Sequence, residues 1–510
     1  MRVPRISGAV CAVAGISLMY WICAATRAAY RPFWFDEIVT WHVARLPSVA
    51  AIWAVLHQGV DQETPFTHLA VRLSHSLFGS GYLATRLPAL TGFWIMLLGV
   101  YAFLKRRLPT EYALIGMAFP MLTFAWSYAF EARAYGVVLG CGAVALVAWQ
   151  NAAEGRWRRL SLVAISMSLA LALGSHLFSV LLAIPLVFGE GFRTLERKRV
   201  DWAMWGAFAA GALGLLTYPD SLQVTRDWDM TGLQPSFLQF PELYDTLFRN
   251  AIAPLLIAGL AVCVLTRREK DKSVGGPILP RRETAALLGF VIAPAVFFVG
   301  RYVSNRFVYN PRYGMVCVIG ASCGIAVVLF RAAGGGRRAG AIILGVMVAW
   351  LGLARGREAF SNREDPRLQF EEDNPVLVAA MAKNTPVVVV DPLSFLAADF
   401  YMPADTLERL SYITADREIA RQYEWQDIVD QLVTRETRAL PVRAHVEPLR
   451  DYVARHPRFM LHTMGGSHCL FDVLMRGGWR LTLSDQRGRE FLYEVTAPGE
   501  PVGEDAGVPR

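Results

Sequence analysis

The chain is short of charge. Only 18% of its 510 residues are Asp, Glu, Lys or Arg, against about 25% in a soluble globular protein, while 54% are hydrophobic. The mean hydropathy of +0.33 points the same way. Cysteine chemistry is also missing. Cys11, Cys23, Cys141, Cys263, Cys317 and Cys323 sit inside apolar runs as small hydrophobes, and Cys469 has no partner outside them. A disulfide framework is therefore excluded, and the absence of CxxC, HExxH or a Cys/His cluster removes the usual zinc sites. There is no nucleic-acid footprint either: the net charge is +8, but Lys and Arg gather between apolar runs.

What the sequence has in quantity is apolar length. Runs of 15–20 residues recur over the first 355 positions, long enough to cross a ~30 Å hydrocarbon core. Eleven spans are expected, at 8–25, 87–104, 111–129, 135–150, 160–174, 177–189, 203–218, 250–266, 285–300, 313–330 and 339–355. Basic clusters mark one end of each span in alternation: Arg2 and Arg5 precede the first, and Lys105–Arg107, Arg156–Arg159, Arg193–Arg199, "RREKDK" with "RR", and "RAAGGGRR" follow the second, fourth, sixth, eighth and tenth. The positive-inside rule places these, and the N-terminus, in the cytoplasm. The opposite side receives the 26–86 loop, "FEARAY", the region of His176, the 219–249 and 301–312 loops, and everything after about 356. The first 28 residues begin and end like a signal peptide, but their apolar stretch exceeds the usual length and predicts an uncleaved anchor.

Three units follow from this pattern. Residues 1–355 form a polytopic α-helical membrane domain, 356–498 a soluble extracytoplasmic α/β domain, and 499–510 a disordered tail rich in Gly, Pro and acids. In the soluble part, "TPVVVVD" predicts a buried strand, "SFLAADFYM" a helix, and "PLRDYVARHPRFMLHTM" a helix followed by a strand. "HCLFDVLM" and "EFLYEVTA" read as further strands. Within 26–86, "DEIVTWHVARL" and "THLAVRLSHSLFG" carry apolar residues at helical spacing and predict helices lying in the membrane interface over a cavity.

Ionisable groups at a membrane boundary are costly, and here they collect on one side. "YRPFWFDEIVTW" places Asp36 and Glu37 directly after the first span. As a helix N-cap, Asp36 would satisfy free backbone N–H groups, and this does not exclude catalysis. "DQETPFTHLA" adds Asp61, Glu63 and His68, "FEARAYG" adds Glu131 and Arg133, and "LGSHLFS" adds His176. Each has a plainer reading, as a polar loop, an interfacial ion pair or a packed histidine. "RYVSNRFVYNPRYG" puts Arg301, Arg306 and Arg312 where the positive-inside rule discourages them. Guanidinium groups beside aromatics suit an anionic headgroup, above all a phosphate. Acids able to act as a base, a Glu/His pair able to hold a cation and arginines for a phosphate together fit group transfer from a lipid phosphate to a hydroxyl.

At these residues the chain resembles the GT-C superfamily of polyprenyl-phosphate-sugar-dependent glycosyltransferases, near the protein mannosyltransferase and aminoarabinose transferase group (families 39 and 83). The resemblance rests on "FWFDE" after the first span, "ETPFTHLAVRLSHSLFGSGYLATRLPAL", "FEARAYG", "HLFSVLLAIP" and "NPRYG", and covers nearly the whole chain. It implies a GT-C fold and a single displacement that inverts the anomeric carbon. Asp36 would be the general base, Glu131 a second acid orienting donor or acceptor, and Glu37 a secondary acid. Arg133, Arg306 and Arg312, with Arg301, would bind the donor phosphate. Glu63 and His176 match positions where some relatives hold a divalent metal cation. Thr64 departs from the pattern, standing where many relatives show a second proline or a basic residue. The partners implied are a polyprenyl-phosphate-linked sugar donor, a lipid, glycan or protein acceptor, and membrane lipids, with no nucleic acid.

Two other classes compete. A flippase for lipid-linked sugars places ionisable groups near the bilayer midplane, in broken spans with repeated halves. Here the span interiors are nearly free of charge and the halves do not repeat. A scaffold resting on the C-terminal domain leaves the boundary carboxylates unexplained. The compact loops and the lack of an endoplasmic-reticulum retention signal point to a bacterial inner membrane.

Overall fold

The computed structural model describes residues 8–61, 63–218, 236–237, 239–265, 276–304, 310–361, 363–414, 428–465 and 469–499. Arg306 and all of the expected tail after Gly499 lie outside the described residues. Each of the eleven expected spans falls on helix. Seven are long and apolar enough to cross a membrane: Gly8–Tyr30, Tyr82–Leu104, Tyr135–Ala153, Leu177–Arg197, Gln239–Val264, Arg281–Val303 and Arg337–Ser361. At 1.5 Å per residue the first two are each roughly 35 Å long. The third expected span is a bent pair, Thr110–Leu122 and Phe124–Phe130, meeting at 76° across the extended residue Thr123. The spans expected at 160–174, 203–218 and 313–330 are short helices, Arg158–Leu173, Trp202–Gly211 and Cys317–Ala332. They are short because the chain tightens into 3-10 turns beside them, at Leu177–Leu182, Ala212–Thr217 and Pro311–Gly314. The chain is a multi-pass helical membrane protein.

Close backbone packing sets the position of one functional loop. Call Gly8–Tyr30 α1, Phe35–Ala44 α2, Val49–His57 α3, Pro65–Phe78 α4 and Tyr82–Leu104 α5. A methyl group at Gly92 of α5 would collide with the Gly136 backbone, and one at Gly140 with the Gly92 backbone. Small residues thus let α5 and the helix Tyr135–Ala153 touch main chain to main chain, as membrane helices do. The "EARA" loop that precedes Tyr135 is thereby pinned beside the start of α5.

The first loop departs from expectation in its cover. Helices α2 and α4 stand where the periodicity predicts them, and α3 is an additional helix, capped by Ser48 accepting from the Ala51 N–H. The apolar face of α2 does not lie on lipid. Phe33, Phe35, Ile38, Val39 and Val43 share one core with Ile52, Leu56 and residues of the C-terminal domain, among them Phe370, Leu377, Phe395, Tyr401 and Val433. A single face cannot be buried twice, so the C-terminal domain, rather than the bilayer, removes this surface from water. Leu73, Leu77 and Phe78 of α4 remain exposed, as an interfacial helix requires.

The C-terminal domain is a six-stranded sheet in the order β3-β2-β1-β4-β6-β5. The strands are β1 Val387–Val389, β2 Leu410–Thr414, β3 His445–Pro448, β4 Arg458–Met464, β5 Arg480–Arg487 and β6 Glu490–Thr496. β1, fully buried, pairs in parallel with β2 (Val387 opposite Leu410) and with β4 (Val387 opposite Met460). β6 runs antiparallel to β4 and β5. Of "HCLFDVLM", His468 lies outside the described residues and the rest is not a strand but lies on the helix Cys469–Arg476. Its buried residues Leu470, Phe471 and Leu474 follow helical spacing, which a short apolar run does not separate from strand.

Candidate functional site

Asp36 and Glu37 are adjacent on α2, so they point about 100° apart around the helix. The N-cap is Trp34 rather than Asp36, which sits at the second helical position. The Glu37 carboxylate instead reaches back to the Trp34 N–H at 3.5 Å. Glu37 is fully buried and meets Arg86 through two parallel bonds, Nε to Oε1 and Nη2 to Oε2, both 2.7 Å. Arg86 also donates to the carbonyls of Ala28, Arg31 and Pro32, and the Ala132 N–H donates to Glu37 at 2.8 Å. Arg86 outweighs the effect of burial and holds the Glu37 carboxyl below its ordinary range. This cluster ties the end of α1, the start of α5 and the "EARA" loop to α2.

Asp36 faces a different set. Its Oδ2 lies 3.6 Å from Arg133 Nη2 and 3.7 Å from Arg312 Nη1, and 19% of its side chain is exposed. Arg133, itself buried, also stands 2.8 Å from Glu63 Oε1 and 3.7 Å from Asp61 Oδ1. Three carboxylates of the first loop therefore converge on one guanidinium of the "EARA" loop. Burial works against the charge on Arg133, but Asp36, Glu63 and Asp61 outweigh it and push its pKa up. Burial pushes Glu63 up to about 8 against the pull of Arg133, and Asp61 beside it adds to the rise. With Glu63 raised, Arg133 and Arg312 face Asp36 and Asp61 as their remaining carboxyl neighbours in this cluster.

Local backbone structure aims these groups. The Glu63 N–H donates to Asp61 Oδ1 at 3.0 Å, and the Ala134 N–H to Glu63 Oε1 at 3.1 Å. The Arg133 N–H donates to the Glu131 carbonyl at 2.7 Å, closing a three-residue turn. That turn sends Arg133 to Asp36 and Glu131 elsewhere. Glu131 accepts from Arg31 Nη2 at 3.0 Å, and burial pushes its carboxyl up to about 7, with Arg31 opposing. Arg312 is set by the turn Pro311–Gly314, whose Asn310 side chain accepts from the Arg312 N–H at 3.1 Å. Its guanidinium lies 5.4 Å from the Tyr313 ring and 6.0 Å from the Tyr135 ring. A crevice lined by Tyr135, Val138, His176, Phe178 and Val316 adjoins it.

The expected residues thus divide. Asp36, Arg133, Arg312 and Glu63 come together, with Asp61 as a member to which the sequence had given no role. Glu37 and Glu131 belong to the Arg31/Arg86 side. Arg301 is buried in the last turn of the helix Arg281–Ser304. His68, fully buried, lies 3.5 Å from Asp61 and is kept neutral, burial lowering its pKa to about 4. His176 accepts from the Phe178 N–H through Nδ1 at 3.2 Å, among the rings of Tyr135, Phe178 and Tyr313. Burial, with Arg133 and Arg312 adding, lowers its pKa to about 3, so its Nε2 carries the proton. Arg133 and the Ala134 N–H engage Glu63, and among the described residues no three His, Cys, Asp or Glu converge for a metal.

Arg31 and Arg86 were missed as site-building residues. The signal for Arg86 was available, since a charge inside an apolar stretch demands a partner. That the partner is Glu37 was not, because 49 residues separate them.

No family model matches the chain, and no curated protein matches its sequence. Solved structures do match. ArnT from Cupriavidus metallidurans in the apo state aligns over 95% of this chain and 97% of its own, with a TM-score of 0.56 at 15% identity. The same protein bound to undecaprenyl phosphate aligns over the same shares, with a TM-score of 0.54 at 13% identity. The oligosaccharyltransferase AglB from Archaeoglobus fulgidus, in complex with an inhibitory peptide and a dolichol-phosphate, reaches a TM-score of only 0.28 at 12% identity. It covers 84% of this chain and 56% of its own. At these identities the likeness is one of fold, and the fold is GT-C.

Proposed function

We propose that the protein is an integral-membrane glycosyltransferase moving a sugar from a polyprenyl-phosphate donor to an acceptor hydroxyl at the outer face of a bacterial inner membrane. The observation that carries this reading is Asp36, held loosely between two arginines at 3.6 and 3.7 Å and open to its surroundings. At those distances neither contact is a short hydrogen bond, so the carboxylate keeps lone pairs free to take a proton. The fold shared with a protein solved with undecaprenyl phosphate supports a lipid-phosphate donor by analogy.

In this mechanism the acceptor hydroxyl gives its proton to Asp36 as its oxygen bonds to the anomeric carbon. The bond from that carbon to the phosphate oxygen breaks on the opposite face, inverting the configuration. The lipid phosphate leaves with the electron pair, and Arg312 meets its charge. Arg312 fits this part better than Arg133, because 18% of its side chain is exposed against 7%, and Arg133 is committed to three carboxylates. Arg133 holds Asp36 and Asp61 in place through contacts at 3.6 and 3.7 Å. No step is routed through a metal.

The test is a transfer assay with purified protein, a panel of radiolabelled undecaprenyl-phosphate sugars and native membrane lipids. Transfer from one donor establishes the reaction class and names the sugar. Donor flipping in liposomes without transfer assigns the protein to lipid-linked sugar transport instead.

A further inference from the structure

Among its described residues the C-terminal domain carries four buried acids: Asp399, Asp430, Glu436 and Glu490. Three have clear partners. Asp399 accepts from the backbone N–H groups of Arg443 and Ala444, and Asp430 from the Tyr412 hydroxyl. Glu490 accepts from the N–H groups of Val376 and Leu377 and faces His462 Nε2 at 3.0 Å. Glu436 is the exception. It is 2% exposed, its Oε2 has no hydrogen-bond partner, and it makes no ion pair among the described residues. An unpartnered carboxyl in such a place costs on the order of several kcal/mol if ionised.

Its surroundings say where it points. Val433, Glu436 and Leu440 lie at i, i+3 and i+7, on one face of the helix Ile428–Ala439 and the turn after it. Val433 and Leu440 belong to the core shared with α2 and α3, so Glu436 looks toward the first loop from across the domain boundary. Burial pushes its pKa well up, and among the described residues the charges that act on it are Asp61 and Asp36, both of its own sign. A group placed beside two like charges, without a partner, adds nothing to the stability of the free protein. Such a group is explained by a ligand.

Resting on the glycosyl-transfer reading, we infer that Glu436 is a substrate-binding group whose carboxyl hydrogen-bonds a sugar hydroxyl held against Asp36, so that the reaction cavity is built from both domains. Kept neutral, the carboxyl offers one donor and one acceptor, the complement of a saccharide hydroxyl. The hydroxyl belongs either to the transferred sugar or to the acceptor, and the kinetics separate the two.

The experiment uses the full-length protein, after the wild type has shown transfer in the panel assay. A failure at that stage counts against the reaction and not against Glu436. Glu436→Met and Glu436→Gln are compared in melting temperature and in KM for each substrate. Glu436→Met is expected to melt higher than the wild type and to raise one KM about tenfold or more, as loss of a buried hydrogen bond does. Glu436→Gln, still able to donate and accept, is expected to keep most of the affinity. A raised donor KM places Glu436 on the transferred sugar, and a raised acceptor KM on the acceptor. Unchanged KM values in Glu436→Met, or a lowered melting temperature in both variants, overturn the inference and make Glu436 a structural residue.

Discussion

Asp36 and Glu37 are neighbours in sequence and opposites in environment. Glu37 is fully buried, bonded twice to Arg86 at 2.7 Å, and further fixed by a backbone N–H. Asp36 is partly exposed and shares two arginines at longer range. Each carboxylate answers a guanidinium, but only one has geometry to spare. A short, bidentate, buried pair stores its binding capacity in the fold. A loose, open pair retains capacity for a substrate and a proton. The same contrast separates Arg86 from Arg312: the first spends its donors on three carbonyls and a carboxylate, while the second rests beside tyrosine rings and faces an opening.

The sharpest way to break this comparison is to unpair the structural side. Arg86→Ala strands Glu37 as a buried charge and should destabilise the protein by about 3–5 kcal/mol, as other broken buried pairs do. Loss of monodisperse, folded protein in size-exclusion and melting experiments is the expected readout. A variant that melts like the wild type contradicts the structural role. Next in size, Arg312→Ala should raise the donor KM about tenfold or more, consistent with a lost charge-assisted bond. It should leave the melting temperature close to that of the wild type, and Arg312→Lys should restore only part of the affinity, since an ammonium lacks the planar fork.

A smaller effect sits on Glu63. Its pKa is raised in the folded protein to about 8 from an ordinary 4.5. The stability contributed by its proton is therefore fully present below pH 4.5 and is lost as pH rises through about 8. Glu63→Gln should flatten this decline in a melting series run across that range, and should melt above the wild type on the alkaline side. Identical pH profiles for the two proteins would show that Arg133 alone governs the charge of Glu63.

Much of the fold was legible, because hydrophobic length and loop charge are local signals. All eleven spans fall on helix, and "FWFDE", "FEARAYG" and "NPRYG" did bring Asp36, Arg133 and Arg312 to one place. Pairing choices were less visible. The resemblance implies that Arg133 binds phosphate, and in the structure a three-residue turn aims it at three acids, whereas Glu131 goes to Arg31. Nothing in "IVDQLVTRETRA" marks Glu436 except an acid on the apolar face of a helix, and its neighbours Asp36 and Asp61 lie nearly 400 positions away. The α2 face that reads as lipid-facing is covered by a domain more than 300 residues downstream. Periodicity reports that a face is buried, not what buries it.

The central claim is that two adjacent carboxylates have different work. It is tested by measuring transfer rate and melting temperature side by side for Asp36→Asn and Glu37→Gln. The account predicts that Asp36→Asn keeps the wild-type melting temperature and loses roughly 10²–10⁴-fold in kcat, the span of general base catalysis. It predicts that Glu37→Gln loses stability first, with the fraction still folded retaining transfer. Wild-type transfer by Asp36→Asn, or a loss of kcat confined to a fully folded Glu37→Gln, would contradict it.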